Sequence, residues 1–127
     1  MEILNVVAAG VAAWIFGAVW YMTIAKTWMA ASGLNEEQAR SVGALPYIVS
    51  LVGAIVVAGM LRHVLAGAEI LTVGKALITG LGMGAFIVLP WMINNVLYAA
   101  RPKELIWMDG GYPIIGMGIM AVVLTLF

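Results

Sequence analysis

Residues 3–25 read ILNVVAAGVAAWIFGAVWYMTIA, and no Asp, Glu, Lys or Arg interrupts them. A helix of about 20 such residues rises about 30 Å, the thickness of the hydrocarbon core of a bilayer, so this stretch is long enough to cross it. Outward from it, Ser41–Leu61 and Ala76–Ala100 are equally free of charge, and Leu105–Phe127 carries only Asp109, near its start. Membrane β-strands are about 10 residues of alternating polarity, a pattern absent here. A mean hydropathy of +1.10 with 9% charged residues excludes an ordinary soluble domain. The expected fold is therefore all-α: a polytopic membrane protein with four transmembrane helices in a compact bundle. The spans are expected at about 3–25, 41–66, 72–98 and 105–127, in a single integral membrane domain covering 1–127. Too little chain is left between them for a second domain.

The remaining composition excludes several functions. A net charge of zero argues against nucleic acid or an anionic surface as the main partner. With no cysteine there is no disulfide, thiolate nucleophile or iron–sulfur ligation. His63 is the single histidine and follows Arg62 at the expected end of helix two, where it reads as a helix-dipole partner rather than a ligand. No metal and no cofactor is expected. Glu2 stands where a signal peptide needs a basic residue, and the apolar run is too long for a signal core, so helix one reads as a retained span.

Orientation follows from Lys and Arg. Lys26 and Arg40 lie in loop one and Arg101 and Lys103 in loop three, against Arg62 and Lys75 in loop two. The excess puts loops one and three in the cytoplasm and both termini outside.

Small residues recur at helix-packing spacing. Gly10, Ala13 and Gly17 share a face of helix one with Val6, Trp14 and Tyr21, and Ser50, Ala54 and Ala58 form a ridge on helix two. On helix three, uninterrupted α-periodicity puts Gly80, Gly84, Ile87, Trp91 and Asn94 on one face, with a kink expected at Pro90. Trp20, Tyr21, Trp28, Arg101 and Trp107 read as interface anchors. In loop one, Asn35-Glu36-Glu37-Gln38 resembles a capping box opening a short interfacial helix before helix two, and Pro46 falls in the first turns of that span. Gly67 reads as its stop.

Asp109-Gly110-Gly111-Tyr112-Pro113 admits two readings. In the favoured one, Asp109 caps a helix that begins at Gly110, because two glycines and a proline sit badly inside a helix. In the other, one longer helix carries a buried Asp109. Asn94, Asn95, Asp109 and Tyr112 are the candidate polar site, the two asparagines reading first as interhelical hydrogen-bond partners.

Gly17-Ala18-Val19-Trp20-Tyr21 with Lys26 and Trp28 behind it, the glycine-rich third helix, Arg101-Pro102 and Asp109-Gly110-Gly111-Tyr112 together carry a resemblance. Over nearly the whole length the chain resembles the small bacterial membrane proteins grouped as domain of unknown function 1761. The resemblance implies a compact four-helix membrane fold and no activity. Two positions depart from that family's pattern: Met22-Thr23 stands where a Ser-Pro step is common, and Asp109 where Asn is frequent.

No Ser-His-Asp set, Cys-His pair or phosphate-binding loop is present, so no enzyme is expected. The leading expectation is a non-catalytic integral membrane subunit, an accessory or scaffold protein. It would pack in the lipid bilayer against itself, as a homo-oligomer, or against other membrane-protein subunits through its glycine-rich faces. The alternative is a small oligomeric transporter or channel with a path between helices three and four.

Overall fold

The computed structural model describes residues 2–126. α1 (Glu2–Thr23) is the first span, followed by two short helices, α2 (Ala25–Ser32) and α3 (Glu36–Ser41). α4 (Leu45–Gly67) is the second span, and α5 (Val73–Met83), a π turn (Gly84–Val88) and α6 (Leu89–Tyr98) form the third. α7 (Glu104–Leu126) is the fourth. All four spans are long and apolar enough to cross a membrane. The described residues are all-helical, with four such helices in a compact bundle.

α7 is the hub. It packs against α1, α4, α5 and α6, while α1 also packs along α4. The interior is built from small residues: Ala9, Ala13, Ala58, Ala76 and Ala121 are fully buried. Large side chains such as Ile48, Val56, Ile78 and Phe86 point outward. This inverts a soluble protein because lipid solvates large apolar side chains as well as a core does, and close backbone approach is what holds helices together.

The glycine and alanine ridges serve that approach inside the bundle. A Cβ at Gly10 would stand 2.7 Å from the Cα of Ile55 on α4. One at Gly84 would stand 2.5 Å from the Cα of Ile114, and one at Gly80 would collide with the carbonyl of Met117, both on α7. Ala13 and Ala54 are buried in the same core.

Several local expectations are met. Asn35 and Gln38 form a reciprocal capping box at the start of α3, and Pro46 lies in the first turn of α4. α4 ends at Gly67, as expected, but the left-handed residue of the turn is Glu69, at φ 56°, with the Ile70 amide donating back to the Leu65 carbonyl. Six-to-one closure of this kind satisfies the last carbonyls even without glycine in the left-handed position.

The third span departs most from its pattern. Where a kink at Pro90 was expected, residues 84–88 form a π turn in which the Leu89 amide bonds the Gly84 carbonyl five residues back. Pro90 supplies the reason: it has no amide to donate, and its ring crowds the carbonyl four residues earlier, which a wider turn relieves. The turn absorbs an extra residue and rotates everything beyond it. Gly80 and Gly84 face α7 as the spacing implies, but Val96 is the buried residue of α6, while Ile87, Trp91 and Asn94 are exposed.

Candidate functional site

The end of the bundle nearest loops one and three gathers six aromatic rings, Phe16, Trp20, Tyr21, Trp28, Trp107 and Tyr112, two of which bond one carboxylate. α1 ends at Thr23, whose hydroxyl donates to the Val19 carbonyl, 2.7 Å away. Back-bonding of this kind bends helices. The chain kinks at Ile24, and α2 then folds onto the first turns of α7 through Trp28, Ile24 and Ala31, which pack on Val96, Leu105 and Met108.

The kink carries Trp28 to the same acceptor as Tyr21. Asp109 Oδ1 accepts the Tyr21 hydroxyl at 2.9 Å and the Trp28 indole N–H at 3.0 Å. The Trp20 indole donates to the Met108 carbonyl at 2.7 Å. Tyr21 meets Trp28 and Tyr112 edge-to-face, with centroids 6.2 and 6.0 Å apart, and Trp20 meets Trp107 in the same way at 6.4 Å. Trp20, Tyr21 and Trp28, expected as interface anchors, are interhelical ties as well. Trp107 and Arg101 keep exposed positions at the bundle end.

The favoured capping reading of Asp109 is corrected. α7 begins at Glu104 and runs unbroken through Asp109, Gly110, Gly111 and Pro113, so the carboxylate lies five residues inside a helix and accepts side-chain rather than backbone donors. The two glycines are packing surfaces, not breakers. A Cβ at Gly111 would stand 2.6 Å from the Trp20 ring, and one at Gly110 2.6 Å from Leu89 Cδ1. In the same way the Tyr112 ring lies over Gly17, leaving 2.7 Å for a Cβ there. Each glycine costs a helix about 1 kcal/mol, which seating a large side chain against it offsets.

Asn94 and Asn95 take no part. Both are exposed, and neither side chain makes a hydrogen bond among the described residues. The π turn explains this: it turns the asparagines away from α7. The interior asparagine is Asn5, at the opposite end, which sequence reasoning passed over. Its Nδ2 donates to the Leu124 carbonyl at 3.5 Å, and its Oδ1 is buried without a partner.

Beside the aromatic cluster lies a groove of about 570 Å³ that sequence reasoning also missed. Trp14, Tyr21 and Trp28 line one side and Pro46, Tyr47 and Ser50 of α4 the other, with Tyr112 at the back and α2, Leu34 and Ala39 above. Trp14 is tied across to the α4 side, its indole N–H donating to Ser50 Oγ at 3.0 Å. Among the described residues no three His, Cys, Asp or Glu side chains converge as a metal site would require.

The family described as Protein of unknown function (DUF1761) has a model that matches residues 4–125. The chain belongs to that family. The match covers all four spans and every residue of the aromatic cluster, and the family carries no assigned activity. Comparisons with curated proteins and with solved structures find no match.

Proposed function

We propose that the protein is a non-catalytic membrane component that holds one amphipathic, lipid-like molecule in the groove beneath α2 and α3. The groove carries the reading. Its volume of about 570 Å³ lies within the roughly 300–1,000 Å³ of small-molecule sites, and it has their make-up of apolar and aromatic walls with a few placed polar groups. From Trp14 to Tyr21 it follows α1 for about 10 Å, from hydrocarbon depth towards the headgroups. That gradient suits a molecule with a polar end and an apolar chain. The polar groups on its walls, the hydroxyls of Tyr21, Tyr47, Ser50 and Tyr112, include no base or nucleophile pair and favour binding over chemistry.

A scaffold role through glycine faces has less support than the sequence implied, because Gly10, Gly17, Gly80 and Gly84 are all consumed inside the bundle. An accessory role therefore works through the bound molecule rather than through those ridges. A transport path between the third and fourth spans draws nothing from Asn94 and Asn95, which are exposed. We place the protein in a bacterial cytoplasmic membrane with loops one and three inside, so that the groove opens at the cytoplasmic leaflet. The chain has no cysteine, so single cysteines at Ser41 and Ala68 would read this directly. An impermeant maleimide should label only Ala68→Cys in intact cells.

Binding is tested by native mass spectrometry from mild detergent. The wild type should retain one single-chain amphiphile. Ala18→Trp, which fills the groove without touching Asp109, should lose it; retention by that variant at the wild-type level would sink the reading.

A further inference from the structure

The groove has an electrostatic sign. At this end of the bundle Lys26, Glu36, Arg40, Arg101, Lys103 and Glu104 are exposed, whereas Asp109 is drawn partly inside. Asp109 has no ion pair among the described residues, and its two hydrogen bonds fall on the same oxygen, leaving Oδ2 without a donor. No Lys, Arg or His side chain lines the groove. A partly desolvated carboxylate with no cation beside it leaves a negative field that a ligand can answer.

We propose that the bound amphiphile carries a cationic ammonium head, held at the corner formed by Tyr21, Trp28 and Tyr112 with the Asp109 carboxylate as its counter-charge. The proposal rests on the groove reading above and names the ligand class. All three rings line the groove, and Tyr21 meets Trp28 at 82° and Tyr112 at 71°. Rings set at such angles let a cation lie against more than one of them, and tryptophan and tyrosine hold the most favourable faces for it. The carboxylate acts through the same rings. Tyr21 and Trp28 each donate to Asp109, and a donor bonded to an anion is polarised, so electron density moves onto the ring. An anionic head would meet the opposite field with no basic side chain to receive it. A sugar head would leave the charge unanswered. Asp109 itself does not line the groove: it sits behind Tyr21 and Trp28, which do, so its charge reaches the head across those two rings.

The full chain in nanodiscs of neutral lipid is titrated with three probes of equal chain length: hexadecyltrimethylammonium, hexadecyl maltoside and hexadecyl sulfate. Tryptophan fluorescence reports occupancy through Trp14 and Trp28. The ammonium should bind at least about tenfold more tightly than the maltoside, with the sulfate weakest. Asp109→Asn keeps a carbonyl oxygen for Tyr21 and Trp28 but removes the charge. It should bring the ammonium to within about threefold of the maltoside. Equal binding of ammonium and maltoside by the wild type overturns the cation inference while leaving the groove reading intact. Full preference surviving in Asp109→Asn overturns the role of the carboxylate. Binding of none of the probes overturns both readings.

Discussion

Two helix ends in this protein look alike on paper and behave oppositely. The end of α1 and its continuation carry Trp20, Tyr21 and Trp28, and the end of the third span carries Trp91, Asn94, Asn95 and Tyr98. Each reads as an aromatic and polar termination of an apolar span. In the structure the first set turns inward and is tied to α7 by three side-chain hydrogen bonds. The second set is exposed, Tyr98 at 91% and Trp91 at 72%. The difference lies in two local distortions. The bend after Thr23 steers Trp28 towards Asp109, while the π turn before Leu89 rotates Trp91 and the asparagines away from α7. Small changes in helical phase, not composition, decide whether such a residue meets a neighbouring helix or the lipid.

The comparison can be broken most severely at its shared support. Gly84 opens the π turn and lies against the backbone of Ile114. Gly84→Leu should force α5 and α7 apart and cost at least about 3 kcal/mol in reversible unfolding from bicelles, the upper range for overpacking where backbone must move. A stable variant would mean that the close approach of the two helices is dispensable.

A smaller effect separates the two ends directly. Asp109→Ala leaves the Tyr21 hydroxyl and the Trp28 indole without their acceptor and should cost about 2–3 kcal/mol. Asp109→Asn should cost under about 1 kcal/mol, because the amide oxygen still accepts. Asn94→Ala and Asn95→Ala should stay within about 0.5 kcal/mol of wild type. Equal losses at Asp109 and Asn94 would erase the contrast.

Trp28→Phe sharpens it further. The ring remains but the bond to Asp109 does not, so the expected cost is about 1 kcal/mol. A brominated lipid should quench Trp91 more strongly than Trp28 in variants retaining one of the two. A gain rather than a loss is expected at Ala100, which closes the third span in the left-handed region at φ 54°. Ala100→Gly should stabilise by about 0.5–1 kcal/mol, since glycine adopts that conformation without strain.

Much of this was legible in the residues. The four spans, the interfacial capping box at Asn35 and the packing roles of Gly10, Gly80 and Gly84 follow from charge spacing, cap chemistry and residue size, all of which act over a few residues. The site was only half legible. Asp109, Tyr21, Trp28 and Tyr112 stood out individually, but as a cap, two anchors and a polar candidate, because nothing local indicates that Tyr21 and Trp28 share an acceptor 88 and 81 positions further along the chain. The Gly110-Gly111 step misled for a related reason. Local propensity treats glycine as a helix breaker, and only the Trp20 ring resting on Gly111 shows why it is tolerated there.

The sequence by itself determined that this is a four-helix membrane protein, since the absence of charge over four long stretches leaves a helix as the only way to satisfy the backbone in lipid. It also determined where helices could approach, because a glycine or alanine leaves room whatever its partner. The tertiary structure alone decided which aromatic residues face inward, that Asp109 accepts from two of them, and that a groove lies beside them. Those outcomes depend on the phase of each helix and on which helix lies opposite. Phase is set by the break at Ile24, just after Thr23, and by the π turn before Pro90, whose effects appear only when the helices are packed together.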